Sequence, residues 1–153
     1  MQGTELLRYL RSLVESDQYL FHGSPHKLDL LEPRQAFHHG GSAELNQYGV
    51  YATGSMRIAL LYAVIHEDRR NWGWKWDATE PHGSLRVEAP NPCKGGNGNL
   101  YVLKRNGFEA WSSGINYIAR KSILPWEVLE VSPTILEDLQ RDCGVRISLP
   151  GTI

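Results

Sequence analysis

The sequence predicts a single domain of the α+β class. Short apolar and aromatic runs alternate irregularly with two or three helix-forming segments, without the regular strand–helix repeat of a parallel α/β sheet. The 153 residues are about one domain in length, and 41% hydrophobic with 22% charged residues is typical of a globular chain with one core. We therefore expect one domain over residues 1–153, with short strands and flanking helices.

The net charge and the cysteine content limit which binding partners and which cell compartment the sequence predicts. Sixteen basic and seventeen acidic side chains give a net charge of −1, which argues against a broad grip on nucleic acid or an anionic membrane and leaves room only for a local patch. No apolar run reaches the roughly 18 residues of a membrane span, so we expect no membrane partner. Cys93 and Cys143 lack any CxxC pattern, which favours free thiols in a reducing cytoplasm. His26, His38 and His39 lack ligand spacing, so we expect no metal.

The first elements are read from hydrophobic spacing. Residues 4–16 carry leucines at helical intervals and predict an amphipathic helix that packs on the domain. Residues 19–22 predict a strand that ends at Gly-Ser-Pro. Residues 34–48 are polar and contain glycine, which indicates a surface loop.

The next pair is a strand over 49–53 and a strongly apolar helix over about 55–66. Thr53 or Ser55 is expected to cap this helix, because a hydroxyl there satisfies a free backbone N–H. The small residues Ala59 and Ala63 share one face, which allows the helix to approach a sheet closely.

The segment 67–99 reads as irregular. Trp72, Trp74 and Trp76 alternate with a period of two, which is typical of a strand. We favour a hairpin that covers the core over an aromatic platform for a planar substrate. The run KGGNG over 94–98 lacks the ending of a phosphate loop and predicts a flexible turn.

The last elements are strands over 100–104 and 126–131, with a short strand over 116–120 between them. A final helix is expected over 134–143, after Ser132-Pro133 and ended by Gly144.

Three motifs carry chemistry. LFHGSP at 20–25, YGVYAT at 48–53 and ALLYA at 59–63 resemble the ADP-ribosyltransferase superfamily, on the branch typified by diphtheria toxin and the poly(ADP-ribose) polymerases. The eleven-residue spacing of Tyr51 and Tyr62 is the spacing of the polymerase branch. The chain is also similar to the small rifampin-inactivating ADP-ribosyltransferases, which share the FHG strand, a Leu-Glu-Pro stretch and later LYV and PxxVxxV strands. The resemblance covers 19–66 well and 100–131 loosely.

The resemblance implies a compact fold of two small antiparallel sheets that form a cleft, and mono-ADP-ribosyl transfer with NAD as substrate. The enzyme cleaves the nicotinamide–ribose bond through an oxocarbenium-like transition state. His22 would bind an adenosine ribose hydroxyl, and Gly23 would pair its backbone with the nicotinamide carboxamide. Ser24 would add its hydroxyl to that amide.

The same resemblance implies that Tyr51 and Tyr62 sandwich the nicotinamide ring by stacking, with Ala52 beside them in the cofactor-binding strand. Arg34 is the best candidate for the pyrophosphate, because a guanidinium matches phosphate bidentately; a solvated loop arginine is the equal alternative. Without the resemblance, His22 would be an ordinary strand end and the tyrosines core residues.

The catalytic acid departs from the family pattern. Where the polymerases have a glutamate before a late strand, this chain has Asn116. Glu109 lies a few residues upstream, where the rifampin-modifying type keeps an acidic residue on a loop, and we favour it slightly; Glu127 is expected at an edge or surface.

Two alternatives stay open. A degenerate NAD- or ADP-ribose-binding module would fit a missing acid, and an NAD-dependent RNA 2′-phosphotransferase would share the fold but need a more basic pocket. The acceptor is a protein, a nucleic acid or a small molecule, with its specificity in the tryptophan segment and the 34–48 loop. Such a compact domain would suit a bacterial toxin, with an antitoxin or immunity protein as a further partner.

Overall fold

The computed structural model describes residues 1–35, 47–66, 72–76, 84–89, 95–111 and 115–148. Across these ranges the chain forms three helices and ten strands. The helices are α1 (Gly3–Ser16), α2 (Met56–Val64) and α3 (Ile135–Asp142). The strands are β1 (Tyr19–Ser24), β2 (Arg34–Gln35), β3 (Tyr48–Thr53), β4 (Gly73–Trp76), β5 (Leu85–Glu88), β6 (Gly98–Lys104), β7 (Glu109–Trp111), β8 (Asn116–Ala119), β9 (Glu127–Val131) and β10 (Val145–Ser148).

The larger sheet has the order β7-β8-β3-β1-β6-β9, with β2 paired to β3, and every pair in it is antiparallel. β1 and β6 are joined over six residue pairs, from Tyr19↔Lys104 to Ser24↔Asn99. β1 and β3 share only the pair Phe21↔Thr53. The two strands therefore part after Phe21, and this leaves a gap between two halves of the sheet.

The smaller sheet has the order β10-β5-β4. β4 and β5 are antiparallel, whereas β5 and β10 are parallel. The α+β class and the presence of two sheets are confirmed. The expectation of two antiparallel sheets is wrong for this sheet, because β10 follows α3 and so returns in the direction of β5.

The two faces of the larger sheet are buried by different material. The helix-facing side packs Phe21, Leu100 and Val102 against α1, α2 and α3 and the smaller sheet. The opposite side packs Leu20 and Tyr101 under the segments around Leu31 and Ile123, which are joined by an antiparallel bridge. Alternation along β1 thus gives the two sides two separate cores.

Helix α2 is buried almost all round, and it lies directly on β1 and β6. A Cβ at Gly23 would overlap the carbonyl oxygen of Ala59, and one at Gly98 would overlap that of Ala63. The close approach expected from the small residues of α2 is confirmed, and the sheet meets it with two glycines. Ser55 caps the helix, since its Oγ accepts from the Ile58 N–H at 3.3 Å.

Several predicted elements need correction. Arg34 and Gln35, expected in a loop, form β2, because they pair with Gly49 and Tyr48; residues 36–46 of that expected loop lie outside the described ranges. The predicted turn over 94–98 is partly strand, because Gly98 opens β6 and Gly95 bridges to Ile65 at the end of α2. β5, β7 and β10 were not predicted, since each has only three or four residues.

Helix α1 packs against the larger sheet through a polar bond as well as its leucines. The Tyr9 hydroxyl donates to Glu127 Oε1 at 2.5 Å, and this bond joins α1 to β9. In the part of the chain that the structure describes, no helix combines the length and apolar character needed to cross a membrane.

Candidate functional site

A pocket of about 130 Å³ opens beside the gap between β1 and β3. It brings together residues from β1, from the segment that follows β1, and from β2 and β3. Its lining is His22, Leu28, Leu31, Glu32, Arg34, Gln35, Gly49, Val50 and Tyr51. Three of the residues predicted from the sequence, His22, Arg34 and Tyr51, line this one pocket.

His22 bridges the gap. Its Nδ1 lies 2.7 Å from the carbonyl oxygen of Tyr51, and because a carbonyl only accepts, Nδ1 carries the proton. Burial lowers the pKa of His22 below its ordinary value of 6.5, the bond to Tyr51 opposes this, and the positive charge of Arg34 adds to the lowering. The ring is therefore a neutral imidazole whose Nε2 accepts hydrogen bonds.

The ring of His22 is held from its side by Tyr101, with ring centroids 6.0 Å apart in an edge arrangement. The Tyr101 hydroxyl donates to the His26 carbonyl at 2.7 Å and accepts from the Leu28 N–H at 2.6 Å. Burial raises the pKa of Tyr101, so this hydroxyl stays protonated. Tyr101 thus fixes both the imidazole and the backbone that forms one wall of the pocket.

The Tyr51 hydroxyl is hydrogen-bonded to the residue before its own strand. The hydroxyl donates to the Gln47 carbonyl at 2.9 Å and accepts from the Gln47 N–H at 2.7 Å. The register of β3 places the Tyr51 side chain on the helix-facing side with Thr53, and the His22 ring on the opposite side with Val50 and Ala52. The His22–Tyr51 bond crosses the gap between the two strands and reaches the Tyr51 backbone, not its ring.

The charged residues of the pocket come from the chain after β1. Arg34 lies opposite Gly49 in the ladder between β2 and β3, and Glu32 lies two residues before it. Both side chains are exposed at the pocket mouth. Glu32 belongs to the Leu-Glu-Pro stretch, and the sequence predicted no role for it. Its carboxylate reaches the pocket because this segment packs beside β3.

Gly23, Ser24 and Ala52 support the site without lining the pocket. Gly23 is needed for the contact of β1 with α2. The Ser24 hydroxyl is buried and accepts from the His26 N–H at 3.1 Å, which shapes the turn after β1. Ala52 is buried in the core on the His22 side of the sheet.

Tyr62 and the tryptophans lie on the helix-facing side. The Tyr62 ring packs edge-on against Trp72 with centroids 5.5 Å apart. Trp72 is buried and Trp74 is half-buried against the same core. This agrees with a β4–β5 hairpin that covers the core and leaves Trp72 unavailable as an exposed platform.

The candidates for the catalytic acid lie on β7, β8 and β9. Asn116 pairs with Thr53, which places it diagonal to Tyr51 on the same side of the sheet, about 7–8 Å away. Glu109, expected on a loop, begins β7, because it pairs with Ile118 across from β8. Glu109 is exposed, and through Ile118 it lies in line with Tyr51 on the same side of the sheet, two strands and about 10 Å away. Glu127 lies on the edge strand β9, where it accepts from Tyr9.

The pocket lining combines groups of both charges with a hydrogen-bond acceptor. Within the described ranges, no three histidine, cysteine, aspartate or glutamate side chains converge as a metal would require. The pocket instead offers one cation (Arg34), one carboxylate (Glu32) and one hydrogen-bond acceptor, the neutral His22. The pocket volume matches only part of a dinucleotide, since complete ligand sites measure about 300–1,000 Å³; a molecule such as NAD would have to continue along the gap.

Among known proteins, no family model, no curated protein and no solved structure matches the chain.

Proposed function

We propose that the chain is an NAD-dependent mono-ADP-ribosyltransferase. The observation that supports this most is that His22, Arg34 and Tyr51, which lie in separate sequence motifs, line one pocket at the gap between β1 and β3. A second support is that Asn116, at the position that matches the glutamate of the polymerases, lies diagonal to Tyr51 on the same side of the sheet.

In the proposed reaction His22 binds rather than transfers protons. Its Nε2 accepts from a ribose hydroxyl, because Nδ1 is already committed to the Tyr51 carbonyl. Arg34 pairs with the pyrophosphate. The nicotinamide lies against Tyr51, and the dinucleotide extends from the pocket along the gap between β1 and β3.

A second function is favoured by one observation. Of the pocket lining, only Glu32 carries a carboxylate, while the predicted acid Glu109 lies two strands from Tyr51. An ADP-ribosyltransferase needs a group that stabilises the developing positive charge. A chain that holds NAD without such a group would act as an NAD- or ADP-ribose-binding module.

One experiment separates these functions. The purified chain is incubated with NAD, nicotinamide release is measured by chromatography, and NAD binding is measured by calorimetry. The transferase predicts release that is lost in His22→Ala and in Tyr51→Ala. Binding without release supports the module, and no binding by a folded chain contradicts both. Lys104→Ala, an exposed change at the far end of β6, is the matched control and should behave as wild type.

The acid is assigned by three single variants measured in parallel. Removal of the acting group should lower turnover more than tenfold, which is more than about 1.4 kcal/mol of barrier, while NAD binding persists. The variants are Glu32→Gln, Glu109→Gln and Asn116→Ala. Unchanged turnover in Glu109→Gln would make Glu109 a structural residue of β7, and a loss in Glu32→Gln would move the role into the pocket itself.

A further inference from the structure

Asn99 is a nearly buried polar side chain that lies outside the pocket. It belongs to β6 and is only 8% exposed. In the part of the chain that the structure describes, no residue forms a hydrogen bond with its amide, and part of the amide still faces solvent. Polar groups buried to this degree almost always have a partner. The Asn99 amide is therefore available to water or to a bound molecule.

Asn99 lies in the middle of a row of three polar side chains. In the larger sheet it is opposite Ser24 of β1 on one side and opposite Glu130 of β9 on the other. Paired residues project to the same side of a sheet, with neighbouring Cβ atoms about 4.5–5.5 Å apart. This side also carries His22, because Tyr101 lies two residues after Asn99 and packs beside the His22 ring. We call Ser24, Asn99 and Glu130 the polar row.

The polar row has hydrogen-bonding capacity that the described residues do not use. Ser24 Oγ accepts from the His26 N–H at 3.1 Å, and no described residue accepts the proton of the Ser24 hydroxyl. The Asn99 amide can donate two hydrogen bonds and accept at its oxygen. Glu130 is exposed, and its carboxylate only accepts. The row therefore presents both donors and acceptors, together with one negative charge.

This combination restricts the chemistry of a ligand. An ammonium group only donates, so the N–H groups of Asn99 and the hydroxyl proton of Ser24 would have no acceptor. A phosphate group only accepts, and Glu130 would repel it. A hydroxyl group both donates and accepts, so it suits all three positions. The row spans two strand spacings, about 10 Å, which favours several hydroxyl groups on one molecule over a single small group.

We propose that the polar row binds a sugar through its hydroxyl groups, at the end of the larger sheet where β1 ends and β6 begins. Asn99 donates to one hydroxyl oxygen and accepts from a neighbouring hydroxyl, while Ser24 donates and Glu130 accepts. None of the three residues lines the pocket that contains His22 and Arg34, so this site is separate and does not depend on the binding of NAD. The Ser24 hydroxyl, which the resemblance assigns to the nicotinamide carboxamide, serves the sugar site instead.

The stability of the free protein tests whether Asn99 lacks a partner. Asn99→Leu exchanges the amide for an apolar side chain of similar size, so its unfolding midpoint in urea should equal or exceed that of wild type. Ser55→Ala is the comparison, because it removes the hydroxyl that accepts from the Ile58 N–H and should lower the midpoint. A fall in Asn99→Leu comparable to that in Ser55→Ala would show that the amide supports the fold, and would overturn the proposal.

Binding is measured on the isotope-labelled full chain by NMR titration with D-ribose, D-glucose and D-galactose. At least one sugar should shift the side-chain amide signals of Asn99 until they saturate. The backbone amides of β6 report binding in the variants, and Asn99→Leu and Glu130→Ala should each raise the dissociation constant at least about tenfold. The side-chain amide of Asn106, which is exposed in the turn after β6, is the internal control and should not shift.

Two further probes, acetamide and methylammonium, are titrated in the same way. A response to acetamide alone would assign the polar row to a primary amide, and a response to methylammonium alone would assign it to a cation. Either result, or no response to any of the three sugars, contradicts the proposal. None of these measurements depends on nicotinamide release, so failure of the sugar site and failure of the transferase are distinguishable.

Discussion

At the scale of single residues, Gly23 joins the candidate site to the core. Its position in the HGS motif suggests a ligand-binding backbone, and the structure gives it a second task, which is the contact of β1 with α2. The sequence could not show this, because the contact depends on where α2 lies.

We expect Gly23→Ala to destabilise the protein. The added methyl would overlap the Ala59 carbonyl, and forced shifts of this kind cost about 1–3 kcal/mol. Urea unfolding measures the change in the free energy of unfolding. Gly73→Ala is the matched control, since a Cβ at Gly73 meets nothing within 4 Å. Equal stability of the two variants would contradict the packing of α2 on β1.

We expect His22 to be neutral at pH 7 with its proton on Nδ1. Because burial lowers its pKa in the folded state, the unfolded chain binds the proton more readily. His22 therefore contributes stability that is present above the unfolded pKa of about 6.5 and is lost as the pH falls below it. Nitrogen NMR identifies the tautomer, and urea unfolding gives stability against pH. His22→Gln should lose less stability on acidification than wild type; a proton found on Nε2 would contradict the bond to Tyr51.

At the scale of elements, α1 is attached to the sheet by one polar bond between distant segments. Tyr9 and Glu127 are far apart in the sequence, and the helical spacing of the leucines places α1 on the domain without identifying the strand beneath it. The sequence predicted the buried side of this helix because amphipathic spacing is a local signal. It could not predict the docking partner, which depends on the order of strands in the sheet.

We expect the Tyr9–Glu127 bond to weaken at high pH. The hydrogen bond to Glu127, with burial as a second cause, raises the pKa of Tyr9 to about 12. The folded state therefore holds this proton more tightly than the unfolded state, so its stabilisation is complete below pH about 10 and is lost as the pH rises to about 12. Ultraviolet absorption of phenolate measures the step, which should be missing in Tyr9→Phe. If both proteins titrate alike near pH 12, the bond does not form in solution.

The candidate site was also predicted only in part from the sequence. The strands that carry His22 and Tyr51 were predicted because each is a clear apolar run, and the structure forms both. The sequence did not predict that Glu32 lines the pocket or that Glu109 lies in a strand. The neighbouring strands β2 and β7 have only two and three residues, and pairing with other strands stabilises them more than their own sequences do. Short edge elements of this kind are where tertiary pairing decides the structure.

At the scale of the whole molecule, the two halves of the larger sheet differ in how much core they share. β1, β6 and β9 contribute to the large core under the three helices. The half with β3 and β8 contributes Val50, Ala52 and Ala119 to the smaller core on the other side. Regions with less buried apolar contact open at lower free energy.

We therefore expect two levels of protection in amide hydrogen exchange. Amides of β1 and β6 should exchange only through global unfolding, and those of β7 and β8 through a smaller opening. Exchange followed by mass spectrometry at increasing urea measures both free energies. Identical values for the four strands would show that the sheet unfolds as one unit.

The single residue pair between β1 and β3 has a mechanical consequence. The larger sheet consists of two halves that are joined at the pair Phe21↔Thr53 and by the His22–Tyr51 hydrogen bond. A molecule that fills the pocket contacts both halves, since the walls of the pocket include β1 from one half and β3 from the other. We therefore expect a ligand that fills the pocket to stiffen the protein, and we expect a substitution that widens the angle between the two halves to weaken binding without contacting the ligand.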